Sequence, residues 1–115
     1  NKIPVSLFIN PVREQIDLAR EIGGDMIEIH TGEYADVRDA RKQHDLLVQI
    51  QQGAAHAKSL GLGVNAGHGI DYSNVVPIAS IPEIDELSIG YAVIVRSLYV
   101  GLDNAVREML ALVQH

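Results

Sequence analysis

The sequence contains no cysteine and no tryptophan, and only one phenylalanine and four tyrosines among its 115 residues. Without thiols there is neither a disulfide framework nor a thiolate metal site, and a cytoplasmic location is the expectation. No apolar stretch reaches the roughly 20 residues that span a bilayer, and no signal-peptide pattern is visible. Runs of like charge are also missing. Nine basic residues are scattered among fifteen acidic ones, for a formal net charge of −6. That balance excludes general nucleic-acid binding, because affinity for phosphate backbones needs clustered Lys and Arg. What remains is an ordinary globular composition, 47% hydrophobic and 21% charged, long enough for one domain with one core.

A short apolar or alternating run followed by a helical pattern recurs four times along the chain. Val5-Ser6-Leu7-Phe8-Ile9 is the first strand candidate. Asn10 then stands where an N-cap belongs and Pro11 where the first helical residue belongs. Val12, Ile16, Ala19 and Ile22 follow at helical spacing, and Gly23-Gly24 closes the helix. The second strand is Met26-Ile27-Glu28-Ile29-His30, ending at Thr31-Gly32; its helix carries Leu47, Ile50, Ala54, Ala57 and Leu60 on one face and stops at Gly61. Gly63-Val64-Asn65-Ala66 is the third strand, running into Gly67-His68-Gly69. Pro77 and Pro82 allow only a short helix over 74–79. Glu86-Leu87-Ser88-Ile89-Gly90 is the fourth strand, with a first helix over 92–100 and a second after Gly101.

Strands alternating with helices imply βαβ units and a parallel sheet. An open doubly wound sheet is covered on both faces and needs strands that are apolar on both sides. Here only one face is apolar, carrying Val5, Leu7, Ile9, Ile27, Ile29, Val64, Ala66, Leu87 and Ile89. The other carries Ser6, Phe8, Asn10, Glu28, His30, Asn65, Gly67, Ser88 and Gly90. This pattern fits the wall of a (β/α)₈ TIM-type barrel, whose interior turns polar toward the strand C-termini. A whole barrel takes about 250 residues, so residues 1–115 read as half of a single barrel domain. Its two open edges and bare inner face should recruit a partner, either a missing half or a second copy, and a homo-oligomer is expected. The chain also opens at Asn1 without an initiator Met, which fits a piece of something longer.

Glu28 sits in mid-strand between two isoleucines. A carboxylate taken from water costs several kcal/mol unless paired, so it is either half of an interior ion pair, for example with Arg96, or a catalytic carboxylate near a strand C-terminus. His30, two residues on, shares its face and either orients Glu28, touches substrate, or is an ordinary interior histidine. In Asn65-Ala66-Gly67-His68-Gly69, two glycines bracket a histidine where backbone amides can approach an anion. His68 there can exchange a proton near neutral pH, unless the segment is merely a tight turn. Ser88-Ile89-Gly90-Tyr91 ends the next strand before a short extra helix. Barrel enzymes often bind phosphate at the loops after strands 7 and 8 with the N-terminus of such a helix. Gly69, Gly90 and Tyr91 are therefore the candidate cradle. His44, His56 and His115 lack ligand-like partners, so no metal site is expected.

At these residues the sequence resembles the pyridoxine 5′-phosphate synthase family. The likeness rests on Val5 to Ile9, Ile27-Glu28-Ile29-His30-Thr31-Gly32 with Tyr34-Ala35, and Val64-Asn65-Ala66-Gly67-His68-Gly69. It continues through Tyr72, Asn74-Val75, Ile78-Ala79, Ile81-Pro82, Glu86-Leu87, Ile89-Gly90, Gly101-Leu102 and Ala105-Val106. The resemblance implies the C-terminal half of a (β/α)₈ barrel. Its implied reaction condenses 1-deoxy-D-xylulose 5-phosphate with 3-amino-2-oxopropyl phosphate in vitamin B6 biosynthesis, with no metal or organic cofactor. His68 would be the general acid and Glu28 would stabilise the charged transition state, while Gly69 with Gly90-Tyr91 would hold substrate phosphate. Tyr91 stands where the family usually has His; a backbone amide contact survives that change and an imidazole contact does not. The family's other His and Glu lie in its N-terminal half, so this polypeptide alone is expected to be inactive. Two alternatives stand beside this one: an inert, self-associating half barrel that at most binds phosphate, and an open-sheet α/β enzyme of unrelated chemistry.

Overall fold

The computed structural model describes residues 2–114. It contains four strands, β1 (Ser6–Ile9), β2 (Met26–His30), β3 (Gly63–Gly67) and β4 (Glu86–Ser88). The helices are α1 (Arg13–Glu21), α2 (Gly32–Asp36), α3 (Ala40–Ser59), α4 (Val75–Ala79), α5 (Tyr91–Val100) and α6 (Leu102–Val113).

The strands form one sheet in the order β1-β2-β3-β4, every pair parallel. This order decides between the two topologies. Crossovers between parallel strands are right-handed, so a sheet that always steps the same way carries its helices on one face. A doubly wound sheet reverses its strand order at a switch point; this one does not. It is a half barrel.

The apolar strand residues face the helices as their alternation requires. Ile27, Ile29, Val64 and Ala66 are fully buried, and they meet Ile16 and Ala19 of α1, Ile50, Ala54 and Ala57 of α3, and Ile78 of α4. On the opposite face Phe8 is 57% exposed, Ser6 and Ser88 are exposed, and Glu28, His30 and Asn65 are half-buried. The molecule measures 45 × 41 × 22 Å, a curved slab rather than a sphere.

α3 starts where Asp39 accepts a hydrogen bond from the Lys42 N–H at 2.9 Å, a side-chain N-cap. α1 departs from expectation. It begins at Arg13 with Val12 at the cap, not at Asn10 and Pro11. The Asn10 carbonyl is taken by the Val12 N–H at 2.7 Å, and the Asn10 N–H donates to Gln15 Oε1 at 3.0 Å. A tight turn therefore consumes the groups a cap would use. Val12 supplies the first helical carbonyl instead, to Gln15 and Ile16. β4 also stops at Ser88, two residues before the expected end, and α2 was not foreseen at all. Among the described residues no helix is long and apolar enough to cross a membrane.

Candidate active site at the strand C-termini

The C-terminal ends of β3 and β4 open into a cavity of about 940 Å³. His68 and Gly69 line it from the β3 side, Ser88, Gly90 and Tyr91 from the β4 side, and Arg96 from α5. The first turn of α5 has no side-chain cap, so its leading N–H groups are open to an anion. Tyr91 is 87% exposed; its backbone, not a packed ring, is what the fold fixes at this position. Four of the five residues to which the family resemblance gives a role thus share one cavity.

The fifth, Glu28, stands on β2 on the same sheet face but outside that cavity lining. Its Oε1 occupies the space that a Cβ on Gly67 would need, beside Ser88. Gly67 is glycine because the carboxylate lies against it. Of the two readings of Glu28, the ion pair with Arg96 does not form among the described residues. Arg96 instead donates to Glu108 at 2.8 and 3.1 Å, which raises the guanidinium pKa and lowers that of the Glu108 carboxyl, in both cases chiefly through the hydrogen bonds of that pair. The reason is local: α5 and α6 are packed together, so the α6 carboxylate comes with the guanidinium wherever α5 goes.

His68 is fixed on two sides. Its ring stacks on His30 with centroids 4.8 Å apart, and Phe8 meets His30 edge-on at 5.0 Å. Its backbone has φ +85°, the one positive value on a non-glycine residue among those described. Thr31, fully buried, lies under this turn with its hydroxyl 2.7 Å from the carbonyls of both Gly67 and His68. Gly69 is held next: its carbonyl accepts from Asn74 Nδ2 at 3.1 Å, and the Asn74 carbonyl accepts from the buried Tyr34 hydroxyl at 2.8 Å. Burial, with Asp71 nearby, pushes the Tyr34 phenol pKa upward.

Sequence reasoning assigned no role to Thr31, Tyr34 or Asn74. One signal was available for Thr31. It falls on the apolar side of β2's alternation, where a hydroxyl needs a partner. Tyr34 and Asn74 act across 40 residues of chain, and no local pattern announces that contact. His56, read as lacking ligand-like partners for a metal, lies 2.5 Å from Asp17; His115 lies outside the described residues. No group of three metal-ligating side chains exists among the described residues.

A sequence model of the family described as "Pyridoxal phosphate biosynthesis protein PdxJ" matches residues 1–115. The chain belongs to the PdxJ family. It is 53% identical over 115 residues to a protein named pyridoxine 5′-phosphate synthase from Chlorobium phaeobacteroides, covering 99% of this chain and 48% of that relative. It is 54% identical over 110 residues to the protein of the same name from Legionella pneumophila, strain Corby, covering 96% of this chain and 44% of the relative. The chain therefore spans about half the length of the curated PdxJ relatives it matches, in keeping with four of a barrel's eight βα units. The family's description is one of pyridoxal phosphate biosynthesis.

Proposed function

We propose that this chain supplies one half, the C-terminal one, of a pyridoxine 5′-phosphate synthase barrel. In that role it helps condense 1-deoxy-D-xylulose 5-phosphate with 3-amino-2-oxopropyl phosphate to pyridoxine 5′-phosphate, phosphate and water. The observation that carries the proposal is the convergence of His68, Gly69, Gly90 and Tyr91 on one cavity where two adjacent strands end. Phosphate would sit against the Gly69 amide and the uncapped first turn of α5, where N–H dipoles favour an anion. His68 would protonate a departing oxygen as general acid. Glu28, facing the same interior from β2, would stabilise positive charge developing on the condensing amine side of the substrate.

The proposed partner is a barrel half bringing four further βα units and the family's remaining His and Glu, without which the chain is inactive. The test is to assay ring formation with the chain alone and then mixed with such a half. Turnover only in the mixture, abolished by His68→Ala, is the expected result. Full turnover by His68→Ala in the mixture would remove its acid role. Inactivity of both preparations would favour the second reading, a self-associating half barrel that only binds phosphate. That reading draws on the exposed apolar side chains of α5, among them Leu98 at 80% and Tyr99 at 82%.

A further inference from the structure

Consecutive carbonyls of an extended strand point to opposite sides. Those of Gly67 and His68 instead converge on one oxygen, the Thr31 hydroxyl, at 2.7 Å each. Such convergence demands a break in the strand at the residue between the two peptides. That residue is His68, and the break is its φ of +85°. Left-handed backbone is unfavourable for any residue with a Cβ, and it persists only where the surroundings hold it. The holding group is Thr31, which also donates its own N–H to the Gly67 carbonyl at 2.9 Å.

The consequence for the site follows from peptide geometry. In a trans peptide the N–H points away from the C=O, and no peptide bond here is cis. Drawing both carbonyls toward Thr31 turns the N–H groups of His68 and Gly69 together in the other direction, the arrangement of an anion-binding nest. Both residues line the cavity.

We infer that Thr31 is a positioning residue, whose hydroxyl straps the β3 turn so that the His68 ring and the paired amides of His68 and Gly69 face the phosphate cavity. The inference rests on the proposed phosphate role of that cavity, but its geometric half stands apart from it. Thr31 is not catalytic, because its hydroxyl is buried behind the turn. Gly32 completes the clamp. A Cβ there would lie 2.6 Å from His30 Cε1 and 3.0 Å from His68 Cδ2, so the start of α2 presses directly on both rings.

The test compares the chain with Thr31→Val, which keeps the shape and removes the hydroxyl, and Thr31→Ser, which keeps the hydroxyl. Inorganic phosphate is titrated against ¹⁵N-labelled protein while the amide resonances of His68 and Gly69 are followed. The expected result is weakening by about tenfold in Thr31→Val, the scale of one lost hydrogen bond, with recovery in Thr31→Ser. A crystal structure of Thr31→Val should show His68 leaving positive φ. Unchanged phosphate affinity in that variant with His68 still at positive φ would overturn the inference. If phosphate moves no resonance in the parent chain, the phosphate reading fails, and the φ of His68 in Thr31→Val still decides the strap. Should Thr31→Val not fold, the parent decides. Its Thr31 hydroxyl proton should be visible and slow to exchange, and a rapidly exchanging one would refute the strap.

Discussion

Replacing Gly69 with alanine separates two costs that usually come mixed. Gly69 has φ +77°, and a Cβ built there would sit 2.6 Å from the Cβ of Ala35 in α2. The backbone cost of a left-handed alanine is about 1–2 kcal/mol. The second cost is overpacking. Two methyl carbons rest about 3.5–4.0 Å apart, so α2 or the turn must yield by about an ångström, at about 1–3 kcal/mol. Gly69→Ala should therefore lose about 2–5 kcal/mol, a large share of the about 5–15 kcal/mol that a domain possesses. Adding Ala35→Gly removes the collision and leaves the backbone cost, at the expense of about 1 kcal/mol for a glycine in a helix. The assay is urea unfolding followed by circular dichroism on the four chains of the cycle, read as midpoints at constant slope. A favourable coupling of about 1–3 kcal/mol between the two changes is expected. A Gly69→Ala chain within about 0.5 kcal/mol of the parent, or a coupling of zero, would refute the reasoning that α2 is pressed against the β3 turn.

Three further outcomes follow from the same coordinates. Ile29, wholly buried between sheet and helices, should cost about 2–5 kcal/mol as alanine, and denaturant unfolding would show a smaller loss if the helices can collapse onto the gap. Asp85 takes two hydrogen bonds from Lys58 at 2.7 and 2.6 Å and one from the Val64 N–H at 2.9 Å, which hold its pKa below the usual 3.8, Lys58 contributing most. A lowered folded pKa gives stability that is present above the unfolded value and lost as pH falls through the folded one. Asp85→Asn should therefore lower the stability plateau above about pH 4 and flatten the acid limb below it. Leu98→Lys with Tyr99→Lys alters side chains that are 80% and 82% exposed. The pair should leave the melting temperature within a few degrees and reduce concentration-dependent association in light scattering; unchanged association would place the sticky surface elsewhere.

The strand interior was legible because it obeys a strict period of two. Ile27, Ile29, Val64 and Ala66 alternate with Glu28, His30, Asn65 and Gly67, and both the sheet and its uncovered face followed from that alternation. The turn after β3 was legible in composition, since Gly67-His68-Gly69 has few other uses at a strand end. What stayed hidden was what holds the turn. Thr31 reaches Gly67 and His68, and Tyr34 reaches Asn74, between segments 36 to 40 residues apart, and such bonds leave no periodic trace. The start of α1 was misjudged for a related reason. Asn10-Pro11 is a sound capping pair in isolation, but the Gln15 side chain and the Val12 amide reach Asn10 first. Arg96, one candidate partner for Glu28, is held by Glu108, on a helix whose packing against α5 sequence spacing did not reveal.

The unbroken strand order has a further meaning for how the chain assembles. Ser6 pairs with Met26 and Asn65 with Glu86, each about 20 residues along, whereas Met26 finds Gly63 only after 37. Closing that longer loop costs only about 0.5 kcal/mol more in chain entropy, and it joins the β1-β2 pair to the β3-β4 pair across one shared core. As the polypeptide leaves the ribosome, each strand emerges beside an edge already waiting for it. The seam between β2 and β3, along which Glu28 meets Asn65 and Thr31 reaches the β3 turn, closes the longest of these loops.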